Sequence, residues 1–131
     1  MKGLHTIWCQ VSDMNRSVSF YKDTLGLNLE FSSPYWSQFS VGNAKIGLHP
    51  KLEGATAPLG IYAKGWYLGL ETEDLRALRH TLEEANVTIH GDYHDVPGGV
   101  VLDFVDPDGN TLEVFQTGIT AESLRGEVNT K

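Results

Sequence analysis

The chain has 131 residues, enough for one domain with its own core, and its 40% hydrophobic and 21% charged residues are ordinary for a globular protein. Net charge is −7 and uneven, with +2 over residues 1–64 and −9 over residues 65–131, which excludes a basic nucleic-acid surface and disfavours anionic lipid. The single cysteine, Cys9, excludes an internal disulfide; with no signal pattern and no apolar run of spanning length, a cytoplasmic chain without nucleic-acid or membrane partners is expected.

The first elements read as strand, helix, strand. Ile7, Cys9 and Val11 alternate with Trp8 and Gln10 at strand period. Ser12 or Asp13 can cap a helix on which Met14, Val18, Tyr21 and Leu25 share a face, and Gly26 suits a left-handed stop. Three strands are predicted next, over 27–32, 36–41 and 44–49. Residues 50–64, with Pro50, Gly54, Pro58 and Gly60, read as a linker or lid.

About sixty residues on, the pattern repeats. A strand runs to Glu71 and Thr72, and Leu75, Leu78, Leu82 and Ala85 mark a helical face. Asn86 supplies the left-handed cap, and strands are predicted over 87–92, 99–105 and 111–116. The organisation is a single domain, 1–131, of two βαβββ modules (4–49 and 65–117) with a tail, 118–131, of one helical turn. In the second module Pro107 presets φ and Gly109 takes the left-handed position of a DPDGN hairpin turn. That hairpin sets the register of Glu113, an acid between Leu112 and Val114 in an apolar strand. Such a carboxylate costs free energy unless a proton, a charge or a metal meets it.

The tandem βαβββ plan, "VSDMNRSVSFYKDTLGL" and "DPDGNTLEVF" together resemble the vicinal oxygen chelate superfamily. That superfamily includes glyoxalase I, extradiol dioxygenases, fosfomycin-inactivating enzymes and bleomycin-resistance proteins. The resemblance covers residues 4–117 and implies an α+β fold in which curved mixed sheets form a pair of half-barrels around a cavity, from one chain or two. It also implies a homodimer, and in the enzymes a divalent metal held by the first and last strands of each half.

Carried over residue by residue, the ligand positions fall on Thr6, Gly47, Tyr67 and Glu113. Only Glu113 is a strong ligand for Zn, Ni, Mn or Fe. His5 is one residue out of register, so it points to the other strand face unless a bulge intervenes. His49 shares a face with Gly47, two residues on. In "HGDYHD", His90, Asp92 and His94 alternate onto one face, and neighbouring glycines suggest a loop at the cavity mouth. Cys9 is expected in the core and His80 in solvent.

The cavity face is expected to carry Thr6, Trp8, Gln10, Gln38, His49, Tyr67, Glu113 and Phe115, with Trp36 a further aromatic candidate. That mixture suits a small, partly apolar or aromatic molecule. Glu113 has three candidate partners: a metal shared with His5 or His49, a hydrogen bond from Tyr67 or His49, or a cationic or hydroxyl group of a ligand. The favoured expectation is a binder without a complete metal site or other cofactor. The alternative is a divalent-metal lyase, isomerase or dioxygenase acting on vicinal oxygens, with Glu113 and Tyr67 as catalytic candidates.

Overall fold

The computed structural model describes residue 2, residues 5–51 and residues 66–129. From residue 52 onward the expected linker or lid lies outside the described residues. The chain divides into two compact units, Met1–Trp66 with Pro107–Asn110, and Tyr67–Asp106 with Thr111–Lys131. Each contains a four-stranded mixed sheet, and neither sheet closes into a barrel.

The first unit contains β1 (Ile7–Val11), α1 (Met14–Ser19), β2 (Asn28–Ser32), β3 (Ser37–Val41) and β4 (Ala44–Pro50). Its order is β1-β4-β3-β2, with β1 and β4 parallel and the other pairs antiparallel. Asp13 caps α1 by accepting the Arg16 N–H at 3.1 Å. The helix then widens into a π-helical segment, Phe20–Thr24, closed by Leu25 N–H donating to the Phe20 carbonyl at 3.0 Å. Gly26, at φ 75°, ends it. The expected alternation holds except at Ile7, which is exposed at the start of β1. Cys9, Val11, Phe39, Ile46 and Leu48 are buried with Phe20 and Tyr21. The fully buried Tyr21 packs against Phe39 and Trp66, and its hydroxyl accepts the Trp66 indole N–H at 3.2 Å. Burying each such side chain contributes about 1.5–3 kcal/mol.

The DPDG turn lies in this first unit. Asp108 accepts the Ser12 N–H at 3.1 Å and the hydroxyls of Ser12 and Ser17 at 2.5 and 3.2 Å, with Arg16 3.6 Å away. The motif therefore does more than set a hairpin: its second aspartate ties down the start of α1.

The second unit repeats the plan with β5 (Tyr67–Glu71), α2 (Leu75–Glu84), β6 (Ile89–Val96), β7 (Gly99–Val105) and β8 (Thr111–Thr117), in the order β5-β8-β7-β6. Asp74 caps α2 as Asp13 caps α1, and Asn86 ends it at φ 60°. Leu75 and Leu82 pack against a core of Val100, Leu102, Phe104, Leu112 and Val114.

Two expectations are corrected here. "HGDYHD" is not a loop but part of β6, and the strand bulges: His90 pairs with Asp103 and His94 with Val101, four residues against two. Gly91 takes φ 74° in the bulge, and Asp92 meets Arg79 at 2.5 Å and Arg125 at 3.8 Å. The tail forms a nine-residue helix, α3 (Ala121–Asn129), not one turn. Ala121 and Leu124 are buried, and the Ala121 N–H donates to Asp95 at 2.8 Å, a tertiary cap that local sequence does not announce.

Candidate functional site

In the first unit, strand period and register set the face opposite α1. Trp8 pairs with Gly47 and Gln10 with His49 across the parallel β1–β4 ladder, and Gln38 pairs with Gly47 across β3–β4. Thr6 lies just before β1 and donates to the Lys45 carbonyl at 3.3 Å. His5 is exposed and precedes the strand. A register shift between Leu29 and Phe31 sets Phe31 opposite Gln38, so Phe31 joins this face and is half exposed, at 52%.

Three rings meet here. Trp8 lies 6.1 Å from Trp36 and 5.6 Å from His49, and Trp36 lies 6.3 Å from His49, all centroid to centroid. Trp36 lies close against Gly47: a Cβ built there would sit 2.1 Å from the indole. Its indole N–H donates to Gln38 at 3.1 Å, and Gln38 donates to Glu30 at 2.8 Å. Glu30 also pairs with Lys45. These donors, Gln38 first, hold the Glu30 carboxyl below its ordinary range. His49 Nδ1 lies 2.6 Å from the Pro50 carbonyl, which can only accept, so Nδ1 carries the proton and in the neutral ring Nε2 is an acceptor.

In the second unit, Tyr67, Gly69, Glu113 and Phe115 lie on the face opposite α2, with Gly69 beside Glu113 on the β5–β8 ladder. Glu113 and Phe115 are half-buried and Tyr67 is exposed. The group directly across from Glu113 is Asp103. Burial, then the Asp103 charge and a hydrogen-bonding contact with it, push the Glu113 carboxyl above its ordinary range, opposed by His94. The Tyr67 phenol is also raised, first by Asp103 and then by burial and Glu113. Asp103 Oδ1 is buried without a hydrogen-bond partner among the described residues.

Sequence reasoning overlooked Asp103, although the signal was present. In "VLDFV" the apolar Leu102 and Phe104 turn to α2, so Asp103 faces the other way. A hairpin centred on the DPDGN turn then pairs 103 with 113. Trp36 entered only as a further aromatic candidate, and its seat on Gly47 depends on a contact eleven residues away.

The donor set does not fit a metal. At Gly47, where the resemblance would place a second ligand, the Trp36 indole fills the space that any side chain would need. Among the described residues, no group of three or more His, Cys, Asp or Glu side chains is arranged to hold an ion. Chemically, the first unit presents aromatic surface with one imidazole acceptor. The second presents a carboxyl pair beside a phenol.

A family profile described as "Glyoxalase/Bleomycin resistance protein/Dioxygenase superfamily" matches residues 3–114. The chain is 26% identical over 122 residues to the glutathione transferase FosA of Serratia marcescens, covering 92% of this chain and 85% of that protein. It is 26% identical over 113 residues to the metallothiol transferase FosB of Staphylococcus epidermidis, covering 86% and 80%. Among solved structures, it resembles TnmS3, an antibiotic binding protein from Streptomyces sp. CB03234, at 27% identity and TM-score 0.66, covering 90% of this chain and 99% of that one.

Proposed function

The chain belongs to the glyoxalase/bleomycin resistance protein/dioxygenase superfamily, and from that premise we propose that it is a metal-independent binder of a small, partly apolar or aromatic molecule, working as a cytoplasmic homodimer. The observation that carries this reading is the Trp36 indole seated on Gly47, with Trp8 and His49 beside it. A metal site and an aromatic wall compete for that space, and the residues present favour the wall. Aromatic surface with a few aimed polar groups is the usual make-up of a small-molecule site. The resemblance to an antibiotic binding protein supports the same reading.

Glu113 favours a second reading, a divalent-metal lyase, isomerase, dioxygenase or transferase. It occupies a ligand position of the superfamily, and two relatives are named as transferases, one of them a metallothiol transferase. The experiment that separates the readings is elemental analysis after incubation with Zn²⁺, Ni²⁺, Mn²⁺ and Fe²⁺ and desalting. Metal far below one per chain is the expected result. Stoichiometric metal, lost in Glu113→Ala, would replace the first reading with the second.

A further inference from the structure

We propose that Trp8, Trp36 and His49 form a preorganised subsite for an aromatic ring bearing a hydrogen-bond donor, and that Gly47 is its specificity-determining residue. The inference rests on the binding function above and adds to it a ligand class and two residues that set it.

Trp36 is held by both its backbone and its ring. Its backbone N–H donates to the Ser33 hydroxyl at 3.2 Å, and its carbonyl accepts the Ser33 N–H at 3.0 Å. Its indole N–H is bound by Gln38, itself bound by Glu30. The backbone and the indole N–H are thus both engaged, and the ring lies against Gly47, where only a missing Cβ allows the approach. Binding against a fixed ring avoids the entropy of ordering it.

Trp8 is the opposite case. It is 47% exposed at an edge strand, a large aromatic surface left in water. It meets Trp36 at 62° and His49 at 48°. The three rings make a corner, in which an incoming ring stacks on Trp8 and meets Trp36 edge-on, both favoured geometries. His49 adds direction: with Nδ1 committed to the Pro50 carbonyl, Nε2 accepts from a phenol, aniline or ring N–H of the ligand. Glu30, the carboxylate joined to this corner through Gln38, is already engaged by Gln38 and Lys45.

Isothermal titration with 2-naphthol, 2-methoxynaphthalene and decahydro-2-naphthol tests this directly. The first has ring and donor, the second the ring alone, the third the donor on a saturated skeleton. The expected order is 2-naphthol tightest, by about tenfold over either control. Gly47→Ala, which displaces Trp36, and Trp36→Leu should each weaken 2-naphthol about tenfold, and the double variant should be no worse than Trp36→Leu alone. That non-additivity shows Gly47 acting through Trp36, which a general loss of stability would not produce. Trp8→Leu, at an exposed position, keeps the test available if Gly47→Ala fails to fold.

Binding of 2-naphthol unchanged in Trp8→Leu and Trp36→Leu would move the ligand elsewhere, overturning the subsite while leaving the binding function intact. Equal affinity for the saturated alcohol would overturn the aromatic class. No 2-naphthol binding at millimolar concentration would overturn the subsite. If that were joined by stoichiometric metal uptake, the underlying function would fall as well.

Discussion

Asp103 and Glu113 face each other across the antiparallel β7–β8 ladder, two carboxyl groups where the sequence drew attention to one. Like charges directly opposite on a sheet destabilise it by roughly 0.2–1 kcal/mol. Removing one should therefore stabilise the protein. Asp103→Asn is expected to raise the denaturant midpoint at pH 7 in the presence of chelator. The pH dependence follows from the sign. Glu113 holds its proton to higher pH folded than unfolded, so its contribution is full at low pH and lost as pH rises through the folded value. The gain in Asp103→Asn should accordingly fade as pH falls and Glu113 takes up its proton. A variant less stable than the parent at pH 7 would show that Asp103 is held by a favourable partner instead.

Asp92 titrates in the opposite sense. Arg79 first, then the Tyr93 backbone N–H, hold its carboxyl below the ordinary range. Its contribution is present above the unfolded value and lost as pH falls through the lower folded one. Arg79 also pairs with Glu83 and stacks 4.9 Å over the Tyr93 ring. Both carboxylates are more than half exposed, so the effect is modest. Arg79→Met should cost about 0.5–1 kcal/mol near pH 7, mostly from the lost stacking and ion pairs, and less below pH 3. Urea melts at the two pH values check this, and an equal loss at both would remove the ion pairs from the account.

Much of the fold was legible because it rests on local rules. Alternation identified the buried faces of β1, β4, β5 and β8. Asp13, one of two cap candidates, and the left-handed Gly26, Asn86 and Gly109 mark element ends through their own backbone chemistry. What escaped depends on distant partners. The bulge in β6 comes with Asp92 meeting Arg79 and Arg125, partners far away in sequence. The length of α3 reflects Ala121 and Leu124 finding a core and Asp95 a cap. The candidate site divides the same way: the faces of Trp8, His49, Tyr67 and Glu113 followed from period, whereas Trp36 on Gly47 needed three dimensions.

Asp108 offers a stability test away from any ligand. Its carboxylate accepts from Ser12 and from the buried Ser17, and is itself largely shielded, at 15% exposure. Hydrogen bonds to a charged group contribute about 1.5–3 kcal/mol, and removing this acceptor also strands the Ser17 hydroxyl. Asp108→Ala should therefore cost about 2 kcal/mol, read as a fall of several degrees in Tm. Asp108→Asn, which keeps an acceptor, should recover part of it. A loss below 0.5 kcal/mol would mean that water replaces the aspartate without penalty.

The last prediction concerns assembly. β1 and β2 are the edges of the first sheet, and β5 and β6 those of the second. Open edges with exposed apolar side chains invite pairing with another chain. Ile7 at 38% and Trp8 at 47% exposure lie on β1, and Tyr67 at 65% lies on β5. A symmetric dimer formed at either edge would bury apolar surface now facing water, and closed two-fold assembly is the commonest solution for such a chain. Light scattering at micromolar concentration is expected to give twice the chain mass of 14.5 kDa. Ile7→Glu places a charge on the exposed edge strand β1, on the strand face opposite Trp8, and should shift the mass towards the monomer on dilution. Because a dimer that covers Trp8 also decides how much of its ring a ligand can reach, titration with 2-naphthol should be run on both species. A mass of 14.5 kDa at every concentration would remove the dimer, and the exposure of Ile7 and Tyr67 would then require another explanation.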